Sequence, residues 1–209
     1  MSRLDWQRVQ AVQAQRVLPY SCGHCGREVA SSVAPNIIIG HIRICPLCSA
    51  PTYFTGDRQL PGSIPGRTVN GVPDEVAKLY DEARRSAAAG SFTASVLTCR
   101  KILMHVAVEK QVATPGQSFV TYVENLLAAH YLPKGSERWV AYIRGRGNEA
   151  NHAIVLMSKD DAEALIKLVE MLLALVYELP ASVPAPASAP VTGAHTKPQP
   201  GVPTGGGAA

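Results

Sequence analysis

Four of the five cysteines form two C-x-x-C pairs in the first quarter of the chain. The first pair is Cys22 and Cys25, the second is Cys45 and Cys48, and nineteen residues separate the pairs. One C-x-x-C turn can bring two thiolates to the same ion, and a second turn completes a tetrahedron. In a chain without a visible secretory signal, such pairs favour metal binding over disulfides. The spacing therefore predicts a zinc ribbon over residues 19–56, with these four cysteines as ligands.

We expect the metal to be structural Zn²⁺. Four thiolates fill a tetrahedral site and leave no open position for a substrate or a catalytic water. Iron in a rubredoxin-like site is the alternative, because four thiolates alone do not settle the metal. His24 and His41 are either substitute ligands or ordinary surface residues.

A second stretch that could do chemistry is residues 143–152, which read I-R-G-R-G-N-E-A-N-H. In a functional interpretation, Arg144 or Arg146 binds a phosphate and a neutral His152 acts as a base. Together with Asn148 as a positioning group, these side chains suffice for metal-free RNA cleavage. In a structural interpretation, the glycines end one helix and Asn148 caps the next. Periodicity alone favours the structural interpretation.

Apolar periodicity predicts a helical bundle over residues 73–180. The expected helices are 73–89, 92–110, 117–130, 136–143 and 159–179. The second of them is apolar over most of its circumference, so we expect it at the centre of the bundle, with Cys99 as a buried small hydrophobe. Ser158 and Asp161 form a capping-box-like start for the last helix.

The remaining segments complete the predicted architecture. Apolar residues at helical spacing indicate an amphipathic helix within residues 1–18, and valines and isoleucines between the cysteine pairs indicate short strands. Residues 57–72 are rich in Gly and Pro and are interpreted as a linker. Residues 181–209, rich in Pro, Ala and Gly, are expected to be disordered. The predicted fold class is therefore mainly α, with a small four-cysteine zinc ribbon in front of a bundle of four to five helices.

The charge distribution limits the partners that the chain can bind. The net charge is +4, but residues 61–180 carry thirteen basic and thirteen acidic side chains. There is therefore no global basic field, and any anion site must be local. No apolar run is long enough to span a bilayer, and the polar N-terminus lacks the apolar core of a signal peptide. We expect a cytoplasmic protein that does not associate with membranes.

The helical part also resembles a known family. The segments that carry the resemblance are D-E-A-R at 81–84, C-R-K-I-L-M-H at 99–105, W-V-A-Y-I-R at 139–144, G-N-E-A-N-H at 147–152, and M-L-L with Y-E within 171–178. They resemble the bacterial domain-of-unknown-function family number four-one-four-five, which is regarded as a branch of the HEPN superfamily of helical bundles. The resemblance covers about residues 73–180, and a zinc ribbon in front is frequent in such proteins.

The resemblance implies a HEPN-like bundle that often forms a homodimer, with an R-x₄₋₆-H motif from each chain in a shared cleft. Many such proteins are metal-independent endoribonucleases in bacterial or phage defence, and others are inactive binding modules. Carried onto this chain, Arg146 and His152 give R-x₅-H, whereas the usual family arginine aligns with Arg144. Gly147 stands where a polar residue is common, and Met104 replaces a glutamate of many relatives.

These departures favour binding over catalysis. The expected function is a non-catalytic module that binds RNA, another nucleic acid or a protein. The alternative is a HEPN-type endoribonuclease that uses Arg146 or Arg144 together with His152 and Asn148.

Overall fold

The computed structural model describes residues 12–37, 40–133, 135–139, 141 and 156–183. Within these ranges the chain has two separate hydrophobic cores. The smaller core lies in an N-terminal sheet around the cysteines. The larger core lies among the C-terminal helices. The description "mainly α" therefore applies to the C-terminal part, and a five-stranded sheet precedes it.

The sheet is antiparallel and its strands pair in sequence order. The strands are β1 (Val12–Ser21), β2 (Glu28–Ile37), β3 (Gly40–Ile44), β4 (Pro51–Thr55) and β5 (Arg58–Leu60). The two C-x-x-C turns form the connection from β1 to β2 and the connection from β3 to β4. Both pairs of cysteines are thus carried by hairpin turns at the same end of the sheet.

Strand β1 corrects the prediction for the N-terminus. A helix was expected within residues 1–18, but residues 12–18 belong to β1, and residues 1–11 lie outside the described part of the chain. Short apolar patterns are compatible with either period, and here pairing with β2 supplies the backbone hydrogen bonds. Strand β5 likewise lies inside the predicted linker of residues 57–72, so the sheet extends beyond both ends of the predicted ribbon.

The C-terminal part consists of helices, as the periodicity predicted. They are α1 (Asp74–Ala88), α2 (Phe92–Glu109), α3 (Phe119–Ala128) and α4 (Lys159–Leu173), which continues through a π-helical turn (Ala174–Glu178) into α5 (Leu179–Ser182). Residues 137–139 and 141 are also helical, at the position of the predicted helix 136–143. Helix α2 packs against α1, α3 and α4, which confirms its central position. Cys99 on α2 is fully buried, as expected.

Helix α4 begins at the predicted capping box. The Ser158 hydroxyl accepts a hydrogen bond from the Asp161 N–H at 3.1 Å, and the Ser158 N–H donates to Asp161 Oδ2 at 2.7 Å. These reciprocal bonds satisfy two donors that a helix start leaves without partners.

Residues 61–73, which we call the strap, pack against the helices. Val69 of the strap is buried in the larger core. Arg84 of α1 is 7% exposed and donates from Nε to the Pro65 carbonyl at 2.8 Å and from Nη2 to the Gly66 carbonyl at 2.7 Å. Further along, Glu178 accepts hydrogen bonds from the backbone and side chain of Asn70, both at 3.0 Å. The strap therefore docks on both α1 and the π-helical turn.

The ribbon contacts the strap and α1 through backbone atoms. The Gly62 N–H donates to the Ala88 carbonyl at the end of α1 at 2.8 Å. A Cβ on Gly23, in the first C-x-x-C turn, would lie 2.3 Å from the Gly62 carbonyl oxygen, so only glycine fits there. The Arg85 guanidinium also donates to the His24 carbonyl at 3.2 Å. These contacts hold the metal-binding turn against α1.

Candidate metal centre

The four predicted cysteine ligands form one cluster. Their sulfur atoms all lie within 4.8 Å of one another. Cys22 Sγ lies 3.8 Å from Cys48 Sγ, and Cys25 Sγ lies 3.9 Å from Cys45 Sγ. Tetrahedral ligands at about 2.3 Å from a zinc ion would be about 3.8 Å apart, whereas a disulfide needs about 2.05 Å. All four cysteines are free, so the geometry fits a tetrahedral metal ion.

The first C-x-x-C turn is fixed by backbone hydrogen bonds. The Cys22 N–H donates to the Arg27 carbonyl at 2.9 Å, and the Gly26 N–H donates to the Cys22 carbonyl at 2.8 Å. Gly26 has φ +70°, a left-handed conformation that glycine adopts readily. The turn thereby points Cys22 and Cys25 toward the same side.

The second turn repeats this arrangement. The Cys45 N–H donates to the Ala50 carbonyl at 3.0 Å, and the Ser49 N–H donates to the Cys45 carbonyl at 2.9 Å. Ser49 stands at the position of Gly26 and also has a positive φ, of 58°. Two turns with the same backbone thus present two sulfurs each from opposite sides of the cluster.

The surroundings of the sulfurs suit thiolates that share a cation. Burial raises the pKa of Cys22, and it raises the pKa of Cys48 to about 12. Burial also opposes ionisation of Cys45, but the N–H groups of Cys48 and Leu47 donate to its sulfur and lower its pKa. Burial therefore makes the charged form unfavourable at Cys22 and Cys48. A divalent cation shared by the sulfurs would supply the positive charge that offsets this cost.

A small aromatic core packs behind the cluster. Tyr20, Val29, Cys22 and Cys45 are buried there, and Phe54 packs against them. The Tyr20 and Phe54 rings meet edge to face with centroids 5.2 Å apart. Burial, together with the nearby sulfurs of Cys45 and Cys22, raises the pKa of Tyr20 to about 12. This core keeps water from one side of the cluster.

Neither histidine belongs to the cluster. His24 is exposed, and its Nε2 lies 2.8 Å from the Pro51 carbonyl oxygen. His41 stacks on Phe54 with centroids 5.1 Å apart and an interplanar angle of 11°. The structure therefore gives all four ligand positions to cysteines. His41 also differs from an ordinary surface residue, because its Nε2 is buried.

The second predicted site lies outside the described residues. Arg144, Arg146, Asn148 and His152 all fall within 142–155, between residue 141 and Leu156. Their pairing therefore stays a prediction.

The helical part contains a polar cluster that the sequence did not indicate. The Tyr177 hydroxyl donates to Glu109 Oε2 at 2.6 Å, and Lys110 Nζ lies 2.8 Å from Glu109 Oε1 and 4.8 Å from the Tyr177 ring centroid. His105 Nε2 lies 3.6 Å from Glu109. Because Glu109 accepts hydrogen bonds from both Tyr177 and Lys110, we interpret the cluster as a structural contact that connects α2 to the π-helical turn.

The comparisons with known proteins bear on the helical part. Among the described helices, none has the length and apolar character needed to cross a membrane. No curated protein and no solved structure matches the chain. The family described as "Domain of unknown function (DUF4145)" matches residues 81–187, just over half of the chain, from the middle of α1 onward. The chain therefore belongs to the DUF4145 family, as its helical motifs predicted.

Proposed function

We propose that the chain is a non-catalytic binding module in which structural Zn²⁺ holds the ribbon together. The observation that carries this proposal is the cluster of four cysteine sulfurs within 4.8 Å of one another. Four thiolates saturate a tetrahedral ion, so the ion has no open position at which to activate water or a substrate. Zinc is the proposed metal because a tetrahedral set of four sulfurs suits it well.

The proposed partner is nucleic acid, and RNA in particular. Two arginines of the ribbon, Arg16 and Arg27, are exposed, as is the side chain of Leu47 in the second turn. Proteins that bind single-stranded nucleic acids without sequence preference use positively charged surfaces that follow the phosphate backbone. The backbone contacts between the ribbon and α1 support a rigid surface, which limits the ordering cost of binding.

Binding of labelled single-stranded RNA to the zinc-loaded chain tests this proposal. We expect fluorescence anisotropy to show binding that weakens with salt, because contacts to phosphates release counterions. Cys45→Ser, which removes one metal ligand, should weaken binding. A dissociation constant above about 100 µM at low salt, weaker than typical non-specific binding, would refute the proposal.

The alternative function is a metal-independent endoribonuclease. The Arg144, Arg146, Asn148 and His152 stretch on which it depends lies within the matched residues 81–187. A HEPN-like arrangement, a homodimer with a shared cleft and a role in bacterial or phage defence belong to this proposal and rest on the resemblance. RNA incubated in EDTA with wild type and with His152→Ala decides. Cleavage that the substitution abolishes supports catalysis, and intact RNA in both samples rejects it.

A further inference from the structure

One face of the ribbon sheet carries a buried arginine, two of whose nitrogens lack an acceptor among the described residues. Arg43 on β3 is 6% exposed, and neither its Nε nor its Nη1 makes a hydrogen bond. His41, two residues earlier on the same face, has a buried Nε2 that also lacks a partner. Thr52, directly opposite Arg43 on β4, adds a fully buried hydroxyl to this face. Polar groups of three residues thus lie on the sheet face that also carries Phe54.

Arg43 also lacks a carboxylate partner among the described residues. The described acids of the ribbon, Glu28 and Asp57, are both exposed, and no described ion pair includes Arg43. Burying a cation is strongly unfavourable unless an anion or several acceptors compensate it. An arginine kept in such surroundings is the arrangement expected where a ligand supplies the negative charge.

We propose that Arg43 and His41 form a binding site for an oxyanion of the phosphate class. A guanidinium offers five N–H donors in a planar fork that matches phosphate oxygens. The imidazole of His41 is held by its stacking on Phe54, and it lies on the same face as Arg43, two residues away. Burial and the charge of Arg43 lower the pKa of His41, and a neutral imidazole can still donate one hydrogen bond.

The site favours a compact ligand. The unpaired nitrogens of Arg43 have almost no exposed surface, so the side chains that cover them must move when the anion enters. Free phosphate and the phosphodiester of a nucleic acid share the required chemistry. For the phosphodiester, the inference rests on the RNA-binding function proposed above, whereas free phosphate binding is independent of it.

The test uses the full zinc-loaded chain with two probes, inorganic phosphate and labelled single-stranded RNA, at constant ionic strength. Arg43→Met removes the buried charge and keeps most of the side-chain length. Arg58→Met is the matched control, because Arg58 is an exposed arginine of the same ribbon. We expect Arg43→Met to weaken phosphate binding about tenfold to a hundredfold, the value of a charge-assisted hydrogen bond, and Arg58→Met to change it less than about twofold.

Stability without ligand gives a second, independent reading. Because Arg43 is buried and unpaired, Arg43→Met should leave the thermal midpoint of the ribbon unchanged or raise it. A lower midpoint or a weaker metal affinity would show that Arg43 supports the fold or the metal centre, and would overturn the inference. Phosphate binding that is absent in wild type, or equal in wild type and Arg43→Met, would also overturn it.

The two probes separate the inference from the proposed function. If both ligands bind and Arg43→Met weakens both, the site takes a nucleic-acid phosphate. If phosphate binds through Arg43 and RNA does not bind at all, the oxyanion site stands and the RNA-binding function fails.

Discussion

Replacing Arg84 with methionine should release the strap from α1. Arg84 donates two hydrogen bonds of 2.8 and 2.7 Å from a charged group to the Pro65 and Gly66 carbonyls. Each such bond contributes about 1.5–3 kcal/mol to stability. Gly66 is exposed, so water recovers part of the loss, and methionine keeps much of the apolar contact with Tyr80. We therefore expect the free energy of unfolding of the helical part to fall by about 2–3 kcal/mol.

Urea denaturation of the zinc-loaded chain, followed by helical ellipticity at 222 nm, measures this loss. Arg85→Met is the matched control. Arg85 neighbours Arg84 on α1, but its side chain is 54% exposed, so its ion pair with Asp81 and its hydrogen bond to the His24 carbonyl should together contribute less than about 1 kcal/mol. A loss of less than about 0.5 kcal/mol for Arg84→Met, or equal losses for the two variants, would refute the role assigned to Arg84.

Three other perturbations test separate contacts. Gly66→Ala should lower the free energy of unfolding by roughly 2–4 kcal/mol and Gly90→Ala by about 1 kcal/mol, measured by the same urea denaturation. Both glycines have positive φ, but a Cβ on Gly66 would also lie 2.8 Å from the hydroxyl of the buried Tyr80 and 3.1 Å from Ile166 Cγ2, whereas nothing lies within 4 Å of one on Gly90. Equal costs would contradict this steric account. Chelation of the metal should unfold the ribbon, which would be seen as loss of its dispersed NMR signals. The ellipticity at 222 nm should persist, because the two cores share no residue. Loss of the helical signal would show that the cores are coupled. The hydrogen bond from Arg67 lowers the pKa of Glu178 from 4.5 to about 2. The ionised Glu178 therefore stabilises the fold above pH 4.5, and this stabilisation is lost as the carboxylate is protonated between pH 4.5 and about 2. The stability difference between wild type and Glu178→Gln should therefore shrink over that range, and a pH-independent difference would exclude the ion pair as its source.

Features encoded by local spacing could be predicted from the sequence. The C-x-x-C turns identify Cys22, Cys25, Cys45 and Cys48 because a hairpin turn brings residues three apart to one ion. The central helix α2 follows from its apolar circumference, and the start of α4 follows from Ser158 and Asp161 three residues apart. In each case the interacting groups are close in sequence, so periodicity or spacing is enough.

Features that depend on distant contacts could not be predicted in this way. Strand β1 forms because β2 pairs with it, and its short apolar pattern also suits a helix. The strap is rich in Gly and Pro, which indicates a linker, and only the carbonyl acceptors for Arg84 reveal that it is docked. Arg43 alternates with isoleucines in I-R-I, a pattern that normally places the charged side chain in solvent. The prediction for Arg144, Arg146, Asn148 and His152 concerns residues outside the described ranges.

The docked strap changes which fragment of the chain can be expected to fold on its own. The family match begins at residue 81, after the first turns of α1 and after the whole strap. A fragment cut there would lose Val69 and Val76 from the larger core and the acceptors of Arg84. The boundary of the helical folding unit therefore lies near residue 61, about twenty residues before the boundary of the family. Expression of the helices for crystallography or NMR should start from the strap.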